Sequence, residues 1–414
     1  MVGGVLDLTV GNAGLPDGGA SDFIFSKGLI SKKGKISSKG GIDADGMLVH
    51  PGFVNVHTHL DKADLLSRMK PNQFGKSLEE NRELLKSFKR NYSESEVVER
   101  AGRVLTEMIV QGCTAVRTQV DVDTTAGLTA LNALVKLKEK FSNLVELQLC
   151  AFPQEGVLSE EKQDLLERAL EKGADLLGGL PLVEKTVEER KKHIDVLFEI
   201  ARKHDKDLEV QIDESNNPDD FMLPYLVEKT LEEKYKGRVS ATHCISLSRV
   251  DDNTALKTIQ GLKKARMNVI VTPSANLITR FPEKAGRPGN SLTRVKELLQ
   301  NGINVALGTD NIRDLFFPLG NCSMLREMHV LITATRMTEA SDFERVFNMA
   351  SVNGAKIMGL GYGVEVGRKA DLIVCNGKNQ REVLNGFPSV RYVIKDGVIV
   401  ASTRVLNENR GVLE

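Results

Sequence analysis

The sequence predicts an α/β protein, a (β/α)8 barrel carrying a small β-sandwich assembled from both ends of the chain. Three observations predict it. Through the middle of the 414 residues, eight short apolar runs alternate with charged, periodically apolar segments, the rhythm of parallel strands joined by helices. No glycine-rich dinucleotide turn follows the first run, which favours a closed barrel over an open doubly wound sheet. The two ends share a different texture of short β-branched runs broken by turn residues. The length suits one barrel plus a smaller module.

Residues 1 to about 50 are rich in Gly, Ser and Lys, with Asp22–Phe25 and Gly46–Val49 as short strands. Barrel strands are expected near 52–57, 113–118, 145–151, 173–178, 207–212, 237–242, 267–272 and 303–308. Helices are expected at Ser95–Gln111, Ser159–Lys172, Val187–His204 and Ser291–Asn301, and over 326–338 and 341–357. Beyond them lie Ala370–Cys375, Val390–Ile394 and Val398–Val400, the last two joined by Asp396-Gly397, a strong hairpin signal. The expected division is therefore 1–49 with 356–414 as the sandwich and 50–355 as the barrel.

Composition narrows the class. Apolar residues make up 41% and charged residues 27%, ordinary for a globular protein. Lys+Arg and Asp+Glu both number 56, so the zero net charge argues against a nucleic-acid partner. The chain has no apolar run long enough to span a membrane and no signal-peptide pattern, so a cytoplasmic location without a membrane partner is expected. Five scattered cysteines without a CxxC pair read as reduced, buried thiols. Tryptophan is absent, which disfavours a carbohydrate- or base-stacking surface.

Chemistry concentrates in the run Pro51-Gly-Phe-Val-Asn-Val-His57-Thr-His59-Leu-Asp61. Two histidines two apart at a strand end point the same way and form half of a metal site. In a (β/α)8 barrel the active site lies at the C-terminal ends of the strands. Those ends carry Arg117-Thr-Gln119, Gln154-Glu155, Gln211-Ile-Asp213-Glu214, His243 and Asp310-Asn311. Each has a plain structural role open to it. His243 could be a core histidine, Asp310 a helix cap and Glu214 a solvated carboxylate. Their shared position at one end of successive strands is what favours a site.

Taken together these motifs resemble the cytosine deaminase branch of the amidohydrolase superfamily. The matching residues also include Phe152-Pro-Gln-Glu-Gly156, Gly302-Ile-Asn-Val305, Phe317-Pro-Leu-Gly320 and Gly363-Val-Glu-Val-Gly367, in order over nearly the whole chain. The resemblance implies a TIM barrel of the metallo-dependent hydrolase type, with one divalent metal ion, Zn2+ or Fe2+, as cofactor. It implies His57, His59 and Asp310 as metal ligands, and Asp310 also as a proton acceptor from the hydrolytic water. It further implies Glu214 as the acid that shuttles a proton to the ring nitrogen, His243 as the group orienting the water, and Gln154 as the amide meeting the heterocycle edge. The expected partner is a small heterocyclic substrate. Family members are often oligomeric, and the resemblance carries a homo-oligomer as an expectation.

The chain departs from the pattern in three places. The strand-five histidine ligand is replaced by Gln211, a weaker ligand, so the metal is expected to be weakly held. The strand-two Arg-Thr-His of several relatives is Arg117-Thr-Gln119. Asn311 stands where cytosine-specific members carry a second aspartate, and the nearby bulky position is Phe316 rather than Trp. These changes argue against cytosine itself as substrate. The reading that follows is a metal-dependent deaminase of an amino-substituted pyrimidine or triazine, in which activated water attacks the C–NH2 carbon and ammonia leaves. Two alternatives stand beside it. One is a hydrolase of a cyclic amide or N-substituted amine on the same fold. The other is a non-catalytic relative that has lost its metal.

Overall fold

The computed structural model describes residues 8–36, 41–70, 73, 77–279, 289–386 and 389–404. The outermost residues of the expected β module, 1–7 and 405–414, lie outside them. The strands run β1 (Thr9–Gly14), β2 (Ala20–Ser26), β3 (Leu29–Gly34), β4 (Ile42–Asp43), β5 (Val49–Pro51) and β6 (Phe53–Thr58). Then follow β7 (Cys113–Asp121), β8 (Glu146–Phe152), β9 (Leu176–Gly179), β10 (Leu208–Ile212), β11 (Val239–His243), β12 (Asn268–Val271) and β13 (Asn304–Leu307). The last three are β14 (Leu372–Cys375), β15 (Val390–Lys395) and β16 (Val398–Ser402).

Strands β6 to β13 form one eight-stranded parallel sheet in sequence order. A parallel bridge between Thr58 and Asp310 brings its two edges together. The seam is stitched by the Asp310 amide donating to the His57 carbonyl at 2.9 Å and by the Thr58 hydroxyl donating to the Asp310 carbonyl at 2.8 Å. Gly308 makes the approach feasible, since a Cβ there would lie 2.6 Å from the His57 carbonyl oxygen. The seam therefore fixes two chemistry-bearing residues against each other.

The chain's ends build two antiparallel-rich sheets, ordered β3-β2-β1-β4 and β16-β15-β14-β5. Val10, Phe23, Phe25 and Ile30 of the first pack with Val49, Leu372, Val374 and Ile394 of the second in one buried cluster, a sandwich core. The Asp396-Gly397 hairpin joins β15 to β16 as expected. All five cysteines are buried and unpaired.

Two helical expectations are corrected. The segment 341–357 is two helices, Ala340–Met349 and Val352–Ile357, broken at Ser351. The break frees the Ala350 carbonyl to accept from the Val54 amide, and lets Gly354 pack against Val54 and Val56 of β6. The helix expected over Ser291–Asn301 spans only Val295–Gln300. Ser291 is instead part of a buried turn, its hydroxyl accepting from the Asn216 side-chain amide at 2.9 Å. Among the described residues, no helix is long and apolar enough to cross a membrane.

Candidate active site

The C-terminal ends of the barrel strands surround a cavity of about 490 Å3. His59, Gln154, Gln211, Glu214, Asp310 and Asn311 line it, with Phe316 on its apolar wall. His57 and His243 lie just beneath, both fully buried. All the residues expected from the sequence thus come together at one end of the barrel. His243 and Asp310 hold positive φ of 73° and 61°, a backbone strain that non-glycine residues adopt where the surroundings impose it.

The candidate metal ligands stand at the C-terminal ends of β6, β10 and β13. Asp310 Oδ1 lies 3.3 Å from His59 Nε2 and 3.7 Å from His57 Nε2. Gln211 Nε2 stands 3.2 Å from His59 Nε2 and 3.5 Å from His57 Nε2. Tetrahedral ligands about 2.1 Å from a metal sit roughly 3.4 Å apart, so the two imidazole nitrogens and the carboxylate oxygen have the spacing and chemistry of a divalent-metal donor set. As it stands, Gln211 presents its N–H side to both imidazoles. An oxygen ligand there needs the amide turned over. Two clusters of potential ligand atoms result: His57, His243 and Asp310 form one, and the other, His59, Asp61 and Asp121, is crossed by the ammonium groups of Lys62 and Lys89, which already neutralise Asp121.

Beneath the site lies a carboxylate that the sequence reading did not single out. Glu209 of β10 accepts from His57 Nδ1 at 2.5 Å, Arg117 Nη1 at 3.0 Å and Gln119 Nε2 at 2.9 Å. It is fully buried, yet His57 and Arg117 outweigh that burial and hold its pKa below the usual value. The Nδ1–H of His57 given to Glu209 leaves Nε2 facing the cavity side. For His57, burial alone would lower the pKa, but the carboxylates of Asp310 and Glu209 raise it to about 9. A metal at Nε2 would take the place of that proton. The signal was present in the period-two spacing, because Glu209 and Gln211 share the inner face of one strand.

Gln119 is the other half of this arrangement. Where several relatives would offer an imidazole, it donates to Glu209 instead.

The acid–base groups sit above. Glu214 is raised to about 8 by burial first and Asp310 second, though a third of its side chain is open to the cavity and water there tempers the rise. Burial lowers His243 to about 3, so it is neutral. Its Nδ1 accepts from Asn276 Nδ2 at 2.9 Å, which places its proton on Nε2. That Nε2 has no hydrogen-bond partner among the described residues and lies 3.8 Å from Glu214 Oε2. A buried donor without a partner at the edge of a cavity is poised for water or substrate.

With this geometry in view, the family model described as Amidohydrolase family matches residues 40–401. The chain belongs to the amidohydrolase family. This amidohydrolase is 29% identical over 377 residues to the N-isopropylammelide isopropyl amidohydrolase of Pseudomonas sp. (strain ADP), covering 86% of this chain and 89% of the relative. It is 26% identical over 369 residues to the pterin deaminase of Rhizobium rhizogenes, covering 86% and 81%. Its fold superposes on 5-methylcytosine deaminase from Klebsiella pneumoniae, solved with 5-fluorocytosine, with TM-score 0.91 and 28% identity over 97% of this chain and 99% of that one. The amidohydrolase is a hydrolytic enzyme of carbon–nitrogen bonds, and its relatives act on nitrogen heterocycles.

Proposed function

We propose that this amidohydrolase is a metal-dependent deaminase of an amino-substituted pyrimidine or triazine. The observation that carries the reading is the gathering of Glu214, Asp310 and the Nε2 donor of His243 around one cavity that also holds Gln154. A site without chemistry has no need of a protonated carboxyl beside a neutral imidazole donor.

His57, His59 and Asp310 would hold a divalent ion. When bound, such an ion supplies a nucleophilic water at neutral pH by lowering its pKa. The protein's own groups do the rest. Gln154 and Asn311 bind the ring edges, with Phe316 along its face. His243 donates its Nε2 proton to hold the attacking water in place. Glu214, its carboxyl held above the usual range by burial and by Asp310, gives its proton to the ring nitrogen beside the attacked carbon. It then takes one of the water's protons and passes it to the departing amine, and the second, released as the carbonyl forms, restores its protonated state. Water is consumed, the C–NH2 carbon becomes a carbonyl and ammonia leaves.

The test is ammonia release from aminopyrimidines, aminotriazines and their N-alkylated forms, using protein of measured metal content. Ammonia from at least one ring, lost with a chelator and restored by Zn2+ or Fe2+, is expected. Silence across the panel in metal-loaded protein overturns the reading.

Gln211 gives a separate prediction. Gln211→His should raise affinity for the divalent ion about 10–100-fold, the scale on which groups around metal sites act. Competition against a chelating dye measures it. Unchanged affinity would place Gln211 outside the metal site.

A further inference from the structure

A side-chain amide is ambiguous as a recognition group, since it can turn either its oxygen or its NH2 to a ligand. Of the amides that line the cavity, Gln154 and Asn311 are each backed by a buried charged group. Behind Gln154 lies Lys62, fully buried, its Nζ 2.9 Å from Gln154 Oε1 and 2.7 Å from Asp121 Oδ1. The same ammonium lies 5.7 Å from the Phe152 ring centre and 5.8 Å from that of Phe316, so it is walled in against the cavity floor. An ammonium has three donors and no acceptor, so only the amide oxygen can face it. The Gln154 NH2 is thereby turned away, and it has no hydrogen-bond partner among the described residues.

Asn311 is held the opposite way. Its Nδ2 donates to Asp314 Oδ2 at 2.6 Å. The buried Asp314 carboxylate also accepts from the Phe316 and Phe317 amides, at 2.9 and 3.0 Å. Three donors converge on it, so it acts as an acceptor and Asn311 Oδ1 is left for the cavity.

We propose that Lys62 and Asp314 are specificity-determining positioning residues. They lock the two amides in opposite senses, so the site takes a heterocycle that presents an oxo acceptor to Gln154 and an N–H donor to Asn311. The proposal rests on the reading of the cavity as an amino-heterocycle site and adds the polarity of the ring it accepts. A fully amino-substituted ring sets donor against donor at Gln154 and is rejected.

The probes, used as ligands rather than as the assigned substrate, are 4-aminopyrimidin-2-one and 2,4-diaminopyrimidine, which differ in the 2-oxo-for-2-amino exchange and in the ring N1–H that accompanies the oxo group. Binding is measured by calorimetry in metal-loaded Glu214→Gln protein, at a pH where both rings are neutral, so that neither is consumed. The oxo ring should bind about 10–100-fold tighter, the usual weight of one mismatched buried hydrogen bond. Lys62→Gln, whose amide can face either way, should shrink that ratio below about threefold. Asp314→Asn should leave that ratio unchanged. It should instead narrow the preference for 4-aminopyrimidin-2-one over pyrimidine-2,4-dione, the ring pair that differs at the Asn311 end. A ratio near one in the Glu214→Gln protein, a ratio unchanged by Lys62→Gln, or no binding of either ring overturns the proposal. If the ratio holds while no ring releases ammonia from the parent enzyme, the deaminase reading falls and the polarity assignment stands.

Discussion

Replacing Glu214 with Gln is expected to cut turnover about 10²–10⁴-fold, the usual weight of a general acid–base group. The change keeps the shape and removes the transferable proton. Glu214 makes no hydrogen bond among the described residues, and beside it stand the neutral His243 imidazole at 3.8 Å and the Asp310 carboxylate. The substitution therefore breaks no hydrogen bond, and at alkaline pH, where the carboxyl would ionise, it removes repulsion from Asp310. The thermal midpoint should stay level or rise slightly, while steady-state ammonia release collapses. Near-parental turnover in a folded Glu214→Gln protein would falsify the proton-shuttle role.

Lys89→Ala is expected to cost about 3–5 kcal/mol of stability, the effect of leaving buried charges without their partner. Lys89 is buried between Asp121 and Asp123, and its ammonium lies 2.5 Å from Asp123 Oδ2. Lys62 still reaches Asp121 in the variant, but Asp123 loses its only ion pair among the described residues. Urea unfolding measures the loss. The pH dependence gives a second check. Burial would raise the Asp121 pKa, but Lys62 and Lys89 pull it well below its usual 3.8. A depressed carboxyl contributes stability that is full above about 3.8 and lost as pH falls through the lowered value. The parent should thus weaken on acidification more steeply than Lys89→Ala. A variant as stable as the parent would show that the cluster is solvated rather than dry.

The barrel was legible because its strands carry apolar runs with polar residues beyond their C-terminal ends, as where Val305-Ala-Leu307 leads to Thr309 and Asp310. The ends were legible from Asp396-Gly397 and its flanking β-branched runs. The break at Ser351 was not, because residues 341–357 keep a continuous helical pattern and only contact with β6 makes the interruption favourable. Site residues carrying a family motif could be named from sequence. Their supports could not. Glu209 reads as one polar residue in an alternating strand, and only the closed barrel shows that both faces of that strand are buried. Lys62 and Asp314 look like ordinary loop charges until the fold sets each behind an amide.

The pairing of β5 with β14 has a consequence for how the chain is made. Leu372 sits opposite Pro51 and Val374 opposite Val49, and the Cys375 amide donates to the Leu48 carbonyl. Only Gly52 separates this strand from β6, which bears His57. A ribosome adding about 5–20 residues per second needs on the order of 15–60 s to travel from one partner strand to the other. Throughout that interval β5, whose strand neighbour is β14, is unpaired, and the segment leading into β6 lacks that anchor. A message cut short before β14 leaves β5 unpaired at the end of the barrel opposite its cavity, a template for pairing with another chain. Protection of that edge therefore waits on the synthesis of β14.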